Sequence, residues 1–172
     1  DVGGPLQSFV PVTDDMLLRP RPENWISFRN GYGQWGYSSL DQINDANVDE
    51  LRLVWSRAMR DGPQEVEPTV YNGVMFLANV EDIVQALDAT TGDLLWDYRR
   101  DLPPDIGTLT GTRYRYRNLA IYDDKVFLAT NDAFLVALDA RTGALVWETE
   151  RADYRDKVAQ TAGPVIVNGK AL

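Results

Sequence analysis

The sequence predicts an all-β fold: a β-propeller of four-stranded antiparallel blades, of which this chain holds only some. Three observations carry that prediction. The element Val84-Gln85-Ala86-Leu87-Asp88-Ala89-Thr90-Thr91-Gly92-Asp93-Leu94-Leu95-Trp96 recurs, 51 residues on, as Leu135-Val136-Ala137-Leu138-Asp139-Ala140-Arg141-Thr142-Gly143-Ala144-Leu145-Val146-Trp147, with eight identities in a fixed frame. A shorter pattern, apolar run, tight turn, apolar run, appears three times, at 69–76, 120–127 and 165–172. The apolar runs are too short for good helices, and no 3.6-residue periodicity runs through them. A repeat of about 50 residues with four short strands has the period of a propeller blade. A β-sandwich would explain the strands, but sandwiches do not repeat their sequence.

Each part of the repeat has a physical reading. Strands are expected at about 74–79, 83–88, 94–98, 125–130, 134–139 and 145–149. In Asp-Ala-x-Thr-Gly, Asp88 and Asp139 can accept backbone N–H groups across the turn, and Gly92 and Gly143 can take the left-handed conformation that closes it. Trp96 and Trp147 then fall on the next strand. A tryptophan buries about 150–250 Å², more than one four-stranded sheet can cover, so each belongs in a seam between neighbouring sheets. Asp123-Asp124 suggests a metal site but replaces Asn72-Gly73 in the repeat, and is read as a turn. The third copy is cut inside its second strand, which would leave a sheet edge unpaired. On this basis residues 61–172 are two blades and the start of a third.

Residues 1–60 read as an N-terminal lead-in and the closing strand of the propeller. The stretch from Pro11 to Pro22 is expected to run extended along the surface. Asn44 to Leu51 has the pattern of a short capped helical turn. Leu51-Arg52-Leu53-Val54-Trp55-Ser56 reads as the outer strand of another blade. Trp25, Trp35 and Trp55 are read as core packing.

Composition excludes several chemistries. The 172 residues carry 17 Lys+Arg against 26 Asp+Glu, a formal charge of −9. Such a surface repels phosphate backbones and argues against a nucleic-acid partner. Arg113-Tyr114-Arg115-Tyr116-Arg117 alternates cations with aromatics, and is read as a strand or loop whose arginines face carboxylates. There is no Cys and no His, which removes thiolate nucleophiles, disulfides, structural zinc and His-based acid–base work from these residues. No apolar run is long enough for a transmembrane segment. The first residues show no basic region followed by an apolar stretch, so a secretory signal is absent or already removed.

The two Ala-Leu-Asp-Ala-x-Thr-Gly-x-x-x-Trp elements resemble the tryptophan docking motif of the pyrroloquinoline quinone (PQQ)-dependent alcohol dehydrogenases, the quinoproteins. Tyr37-Ser38-Ser39-Leu40-Asp41-Gln42-Ile43-Asn44 is similar to that family's opening signature, and Leu51-Arg52-Leu53-Val54-Trp55 follows at the expected distance. The resemblance implies an eight-bladed propeller holding PQQ beside a calcium or lanthanide ion. It implies oxidation of a small-molecule alcohol in the periplasm, with a cytochrome c or a quinone as electron acceptor. Carried over residue by residue, it assigns three cofactor contacts. Glu65 matches a carboxylate that hydrogen-bonds PQQ, Arg117 an arginine that reaches its oxygens, and Thr161 a threonine that contacts a PQQ carboxylate.

Alone, Glu65 would be a solvated loop acid, Arg117 an ion-pair partner and Thr161 a turn hydroxyl. Their shared place at the start of the first strand in successive repeats is what joins them. The family's vicinal Cys-Cys pair would fall near Gly111-Thr112 and is lacking here. Its metal ligands and catalytic aspartate would lie past Leu172, so these residues alone are expected to be inactive. A competing reading is a cofactor-free propeller that serves as a protein-interaction scaffold; metal-ligand acids in the sequence past residue 172 would decide against it.

Overall fold

The computed structural model describes residues 3–110, 118–158 and 162–172. Two four-stranded antiparallel sheets follow one another along the chain. The first has the order β1 (Thr69–Tyr71), β2 (Val74–Asn79), β3 (Ile83–Asp88), β4 (Leu94–Arg99). The second repeats it with β5 (Ala120–Tyr122), β6 (Lys125–Ala129), β7 (Phe134–Asp139), β8 (Leu145–Glu150). A third begins with β9 (Ile166–Val167) and β10 (Lys170–Ala171). All six strands expected from the repeat are present. Even the irregularity repeats, with a register shift at Ala86/Leu87 in one sheet and at Ala137/Leu138 in the other.

The recurrent turn behaves as its residues require. Asp88 Oδ1 accepts from the N–H groups of Thr90 (2.8 Å) and Thr91 (3.3 Å), and Asp139 Oδ1 from those of Arg141 (3.0 Å) and Thr142 (2.9 Å). Gly92 and Gly143 sit at φ +76° and +72°, and a Cβ on either would lie 2.5–2.6 Å from an indole of the preceding repeat. Glycine is thus needed twice over, for its backbone angle and for the close approach of a ring. Those indoles are Trp55, whose N–H donates to Ala89 O (3.1 Å), and Trp96, whose N–H donates to Ala140 O (3.0 Å). The main core lies between the two sheets and includes Phe76, Trp96, Ile121, Val126 and Leu128. The Asp123-Asp124 pair is a turn, with Lys125 paired to both carboxylates.

The lead-in departs from expectation in three places. Residues 11–22 are not extended throughout, because Thr13 caps a short helix α1 (Asp14–Leu18) by accepting from Met16 N–H. A single turn is too short to print a helical period. Trp35 is 82% exposed and packs in no core. Leu51–Ser56 forms no strand, and Leu53 and Val54 are more than 80% exposed. An outer strand needs inner strands to pair with, and this segment pairs with neither described sheet. Its Trp55 nevertheless docks on the first repeat's turn. The helical turn expected over 44–51 is present as a 3-10 turn, Val48–Glu50, without a side-chain hydrogen bond from its N-cap residue Asn47.

The lead-in also covers β1, which is an edge strand of its sheet. Trp25 and Val70 exchange both backbone hydrogen bonds (2.7 and 2.8 Å), and Tyr32 Oη donates to Ile166 O (2.7 Å). Pairing an otherwise open edge removes a site for unwanted strand addition.

Candidate functional site

Antiparallel order sorts the loops into two groups. The β1–β2 and β3–β4 turns, with the Asp-Ala-x-Thr-Gly element, lie at one end of each sheet. The start of β1, the β2–β3 hairpin and the exit from β4 lie at the other. The second end, the mouth, gathers the charged and polar side chains that the repeat does not spend on turns.

At the mouth, three successive first strands start side by side. Thr69 Oγ1 donates to Leu119 O (3.4 Å), and Gly163 N–H donates to Asn118 Oδ1 (3.2 Å). Glu65 is exposed and stands four residues ahead of β1, not at its first residue as expected. Pro68 explains the offset, since it has no N–H to give to a ladder. Arg117 and Thr161 lie outside the described residues, as do Gly111-Thr112 and the rest of the Arg-Tyr cluster. The structure therefore describes the side chain of one of the three positions.

The sequence reading missed the groups that hold this end in place. Glu67 Oε1 accepts from Trp25 Nε1–H (2.5 Å) and from Arg29 N–H (2.6 Å), tying the lead-in to the segment that carries Glu65. Arg100, the first residue after β4, donates from Nε to both oxygens of Asp132 (2.8 Å each) and from Nη1 to Glu148 Oε2 (2.7 Å). Its guanidinium also lies 4.6 Å from the ring centroid of Phe134. Desolvation lowers its pKa, but hydrogen bonds to Glu148, Asp132 and Tyr98 raise it further, so it stays charged. Asp82, in the β2–β3 hairpin, is fully buried and accepts from Asn131 N–H (2.9 Å) and Nδ2 (3.3 Å) in the neighbouring sheet. Burial pushes its carboxyl up to about 8, with Asp132 adding to the shift, while the Asn131 N–H and Arg100 oppose it. Among the described residues no group of three or more Asp, Glu, His or Cys side chains could hold a metal ion, and no helix is long and apolar enough to cross a membrane.

Sheets repeated at a 51-residue step, each clasped to the last through a tryptophan, define a β-propeller architecture. The family model of the PQQ glucose/ethanol/alcohol dehydrogenase β-propeller domain matches residues 25–153, and the chain belongs to that family. It is 40% identical over 165 residues to the quinoprotein alcohol dehydrogenase PedH of Pseudomonas putida, covering 92% of this chain and 27% of PedH. Its structure is similar to that of the quinohemoprotein alcohol dehydrogenase ADHIIG of Pseudomonas putida HK5, with a TM-score of 0.88 and 32% identity over 95% of this chain and 25% of that one. A europium-containing methanol dehydrogenase matches with a TM-score of 0.85 and 30% identity over 91% of this chain and 28% of its own. The chain thus spans about a quarter of the length of these relatives.

Proposed function

We propose that this chain is the N-terminal segment of a PQQ-dependent dehydrogenase that oxidises an alcohol, or a related hydroxyl substrate, to an aldehyde or ketone. The observation that carries the reading is the juxtaposition of three first-strand starts at one end of the blades. Glu65, Arg117 and Thr161 come just before those starts in the chain. A carboxylate, a guanidinium and a hydroxyl suit a flat, acidic ligand with several carbonyl groups. In this reading Glu65 accepts from a ring N–H, Arg117 forks onto neighbouring carbonyl and carboxylate oxygens, and Thr161 donates to a carboxylate.

Bound PQQ would supply the acceptor for a hydride equivalent from the substrate's carbinol carbon. A calcium or lanthanide ion beside it, and the aspartate that assists loss of the hydroxyl proton, would come from outside these residues. The europium-containing relative keeps the lanthanide alternative open. Residues 1–60 would serve as the lead-in and closing strand, and 61–172 as two blades and the beginning of a third. The bare apolar side chains of Leu53 and Val54 suit a segment 51–56 that pairs with strands from elsewhere in the propeller. Electrons would pass to a cytochrome c or a quinone, in the periplasm.

The test uses the whole protein, prepared without cofactor and titrated with PQQ in the presence of calcium or of a lanthanide. The unmodified protein is expected to bind PQQ and then to oxidise alcohols. Arg117→Ala is expected to weaken PQQ binding at least about tenfold, as loss of a charge-assisted contact should. Failure of the unmodified protein to take up PQQ would end the dehydrogenase reading. Unchanged affinity in the variant would remove Arg117 from the site alone.

A further inference from the structure

The arginines at the mouth follow the repeat. Arg60 comes five residues after Trp55, Arg100 four after Trp96, and Arg151 four after Trp147. The acids they meet also follow it, since Glu81 and Asp132 are 51 residues apart, each in the central hairpin of its sheet. Arg60 Nη2 pairs with Glu81 Oε2 at 2.8 Å, and Arg100 grips Asp132 through both carboxylate oxygens at 2.8 Å. The second pair is nearly dry, with the Arg100 side chain 10% exposed and that of Asp132 8%. Thr130 Oγ1 holds Asp132 in place with a 2.5 Å bond.

The connections after Trp55 and after β4 are therefore each caught, within five residues of the tryptophan, by an acid of the next blade. The connection after β4 is caught a second time. Its short helix α2 (Ile106–Thr110) buries Ile106 against Ala133 and Tyr154, and Asp105 accepts from Tyr154 Oη (3.1 Å). Tryptophan anchors a seam at the turn end only, and a sheet held at one end can still pivot about it. A planar guanidinium whose Nε–H is shared by both oxygens of Asp132 while Nη1 reaches Glu148 has a fixed direction at the opposite end, and so can stop the pivot. Apolar side chains could bury as much area, but they would not set a direction, and a buried ion pair is weak evidence for stability as such.

We infer that Arg100 and Asp132 are positioning residues for the cofactor site, fixing the start of the connection that follows blade one and the register of the next blade, as Arg60 and Glu81 fix the connection that carries Glu65. This rests on the PQQ reading above. Neither residue needs to touch the cofactor; their effect passes through the register of one blade on the next.

The experiment takes the whole protein without cofactor and compares Arg100→Gln, Asp132→Asn and the double variant. PQQ affinity is measured by titration at a temperature where circular dichroism shows each variant folded. Each single change is expected to weaken PQQ about tenfold, the double no more than the worse single, because the pair acts as a unit. Arg100→Lys, which keeps the cation and loses the planar bridge between Asp132 and Glu148, should also weaken binding, and it serves where the neutral variants do not fold. Variants that fold and bind PQQ as tightly as the unmodified protein would overturn the positioning role and leave the PQQ reading standing. So would a double variant in which the two losses simply multiply. If the unmodified protein takes up no PQQ, the cofactor reading fails and the positioning role fails with it.

Discussion

Trp96 and Trp147 occupy the same place in consecutive repeats, yet one is 8% exposed and the other 39%. Within its own sheet each has the same setting. Trp96 lies 5.9 Å from Phe76 and Trp147 5.9 Å from Phe127, ring centroid to centroid, and each follows the same register shift. What differs is the neighbour. Trp96 meets Gly143 and Ala140 of the next turn, whereas the third copy of the pattern in this chain reaches only Leu172, before any such turn. Burial of the ring is therefore a property of the seam and not of the strand that carries it. This is the nearest-neighbour behaviour expected of repeat architectures, in which each unit is completed by the one beside it.

The largest expected effect breaks the closed seam. Trp96→Ala removes a large ring from the core and its hydrogen bond to Ala140 O, and should cost about 3–5 kcal/mol of unfolding free energy in the whole protein. Urea unfolding followed by circular dichroism would measure it. A loss below about 1 kcal/mol would mean that the seam is held at its mouth end instead, and that the docked indole is secondary.

A smaller effect probes that mouth end. The Asp82 carboxyl, pushed up to about 8 from its ordinary 3.8 mainly by burial, holds a proton in the folded state that the unfolded chain releases. Between those two values the folded state binds more protons. Stability should therefore fall as pH rises from about 4 through about 8, then level off. Asp82→Asn cannot ionise and still offers a carbonyl oxygen to Asn131. It should match the unmodified protein near pH 3, below both values, and exceed it at pH 9 by on the order of 1–3 kcal/mol, the desolvation cost of the carboxylate offset in part by its hydrogen bonds. Thermal melts across that pH range would decide it; parallel curves would place the proton elsewhere.

The strands, their order and the turn chemistry were legible because the chain repeats itself. Two aligned copies disclose which positions are turns and which face a core, and Asp88, Gly92 and Trp96 then follow from ordinary turn and burial arguments. The helices α1 and α2 were not legible, since five residues carry no periodicity. Trp35 was misread because aromatic character suggests burial, and only the packing around a residue settles it. Glu65 was assigned through the family resemblance and placed at a strand start through the repeat, but Pro68 displaced it from the strand by a rule that could have been applied in advance. The clasp of Arg100 on Asp132 was missed although its signal was present. Both residues sit at fixed steps from repeat landmarks, but alternating charges on a surface usually mean only solvation, and the pairing crosses from one repeat to the next.

The smallest expected effect is on the open side. In these 172 residues by themselves, Trp147→Ala should cost under about 1 kcal/mol, because the ring is 39% exposed and β8 is exposed along its length. The same ring should govern association. With Leu145 and Val146 also half-exposed, it contributes to an apolar face that a neighbouring sheet would cover, and chains bearing such faces tend to pair through them. Sedimentation at increasing concentration should show the unmodified 172-residue chain forming larger species, and the Trp147→Ala chain doing so less. In the whole protein the substitution should instead approach the cost of Trp96→Ala, since a third turn would dock on it. Equal losses from Trp96→Ala and Trp147→Ala in the short chain would contradict the comparison, by showing that the indole is stabilised within its own sheet and gains little from the seam.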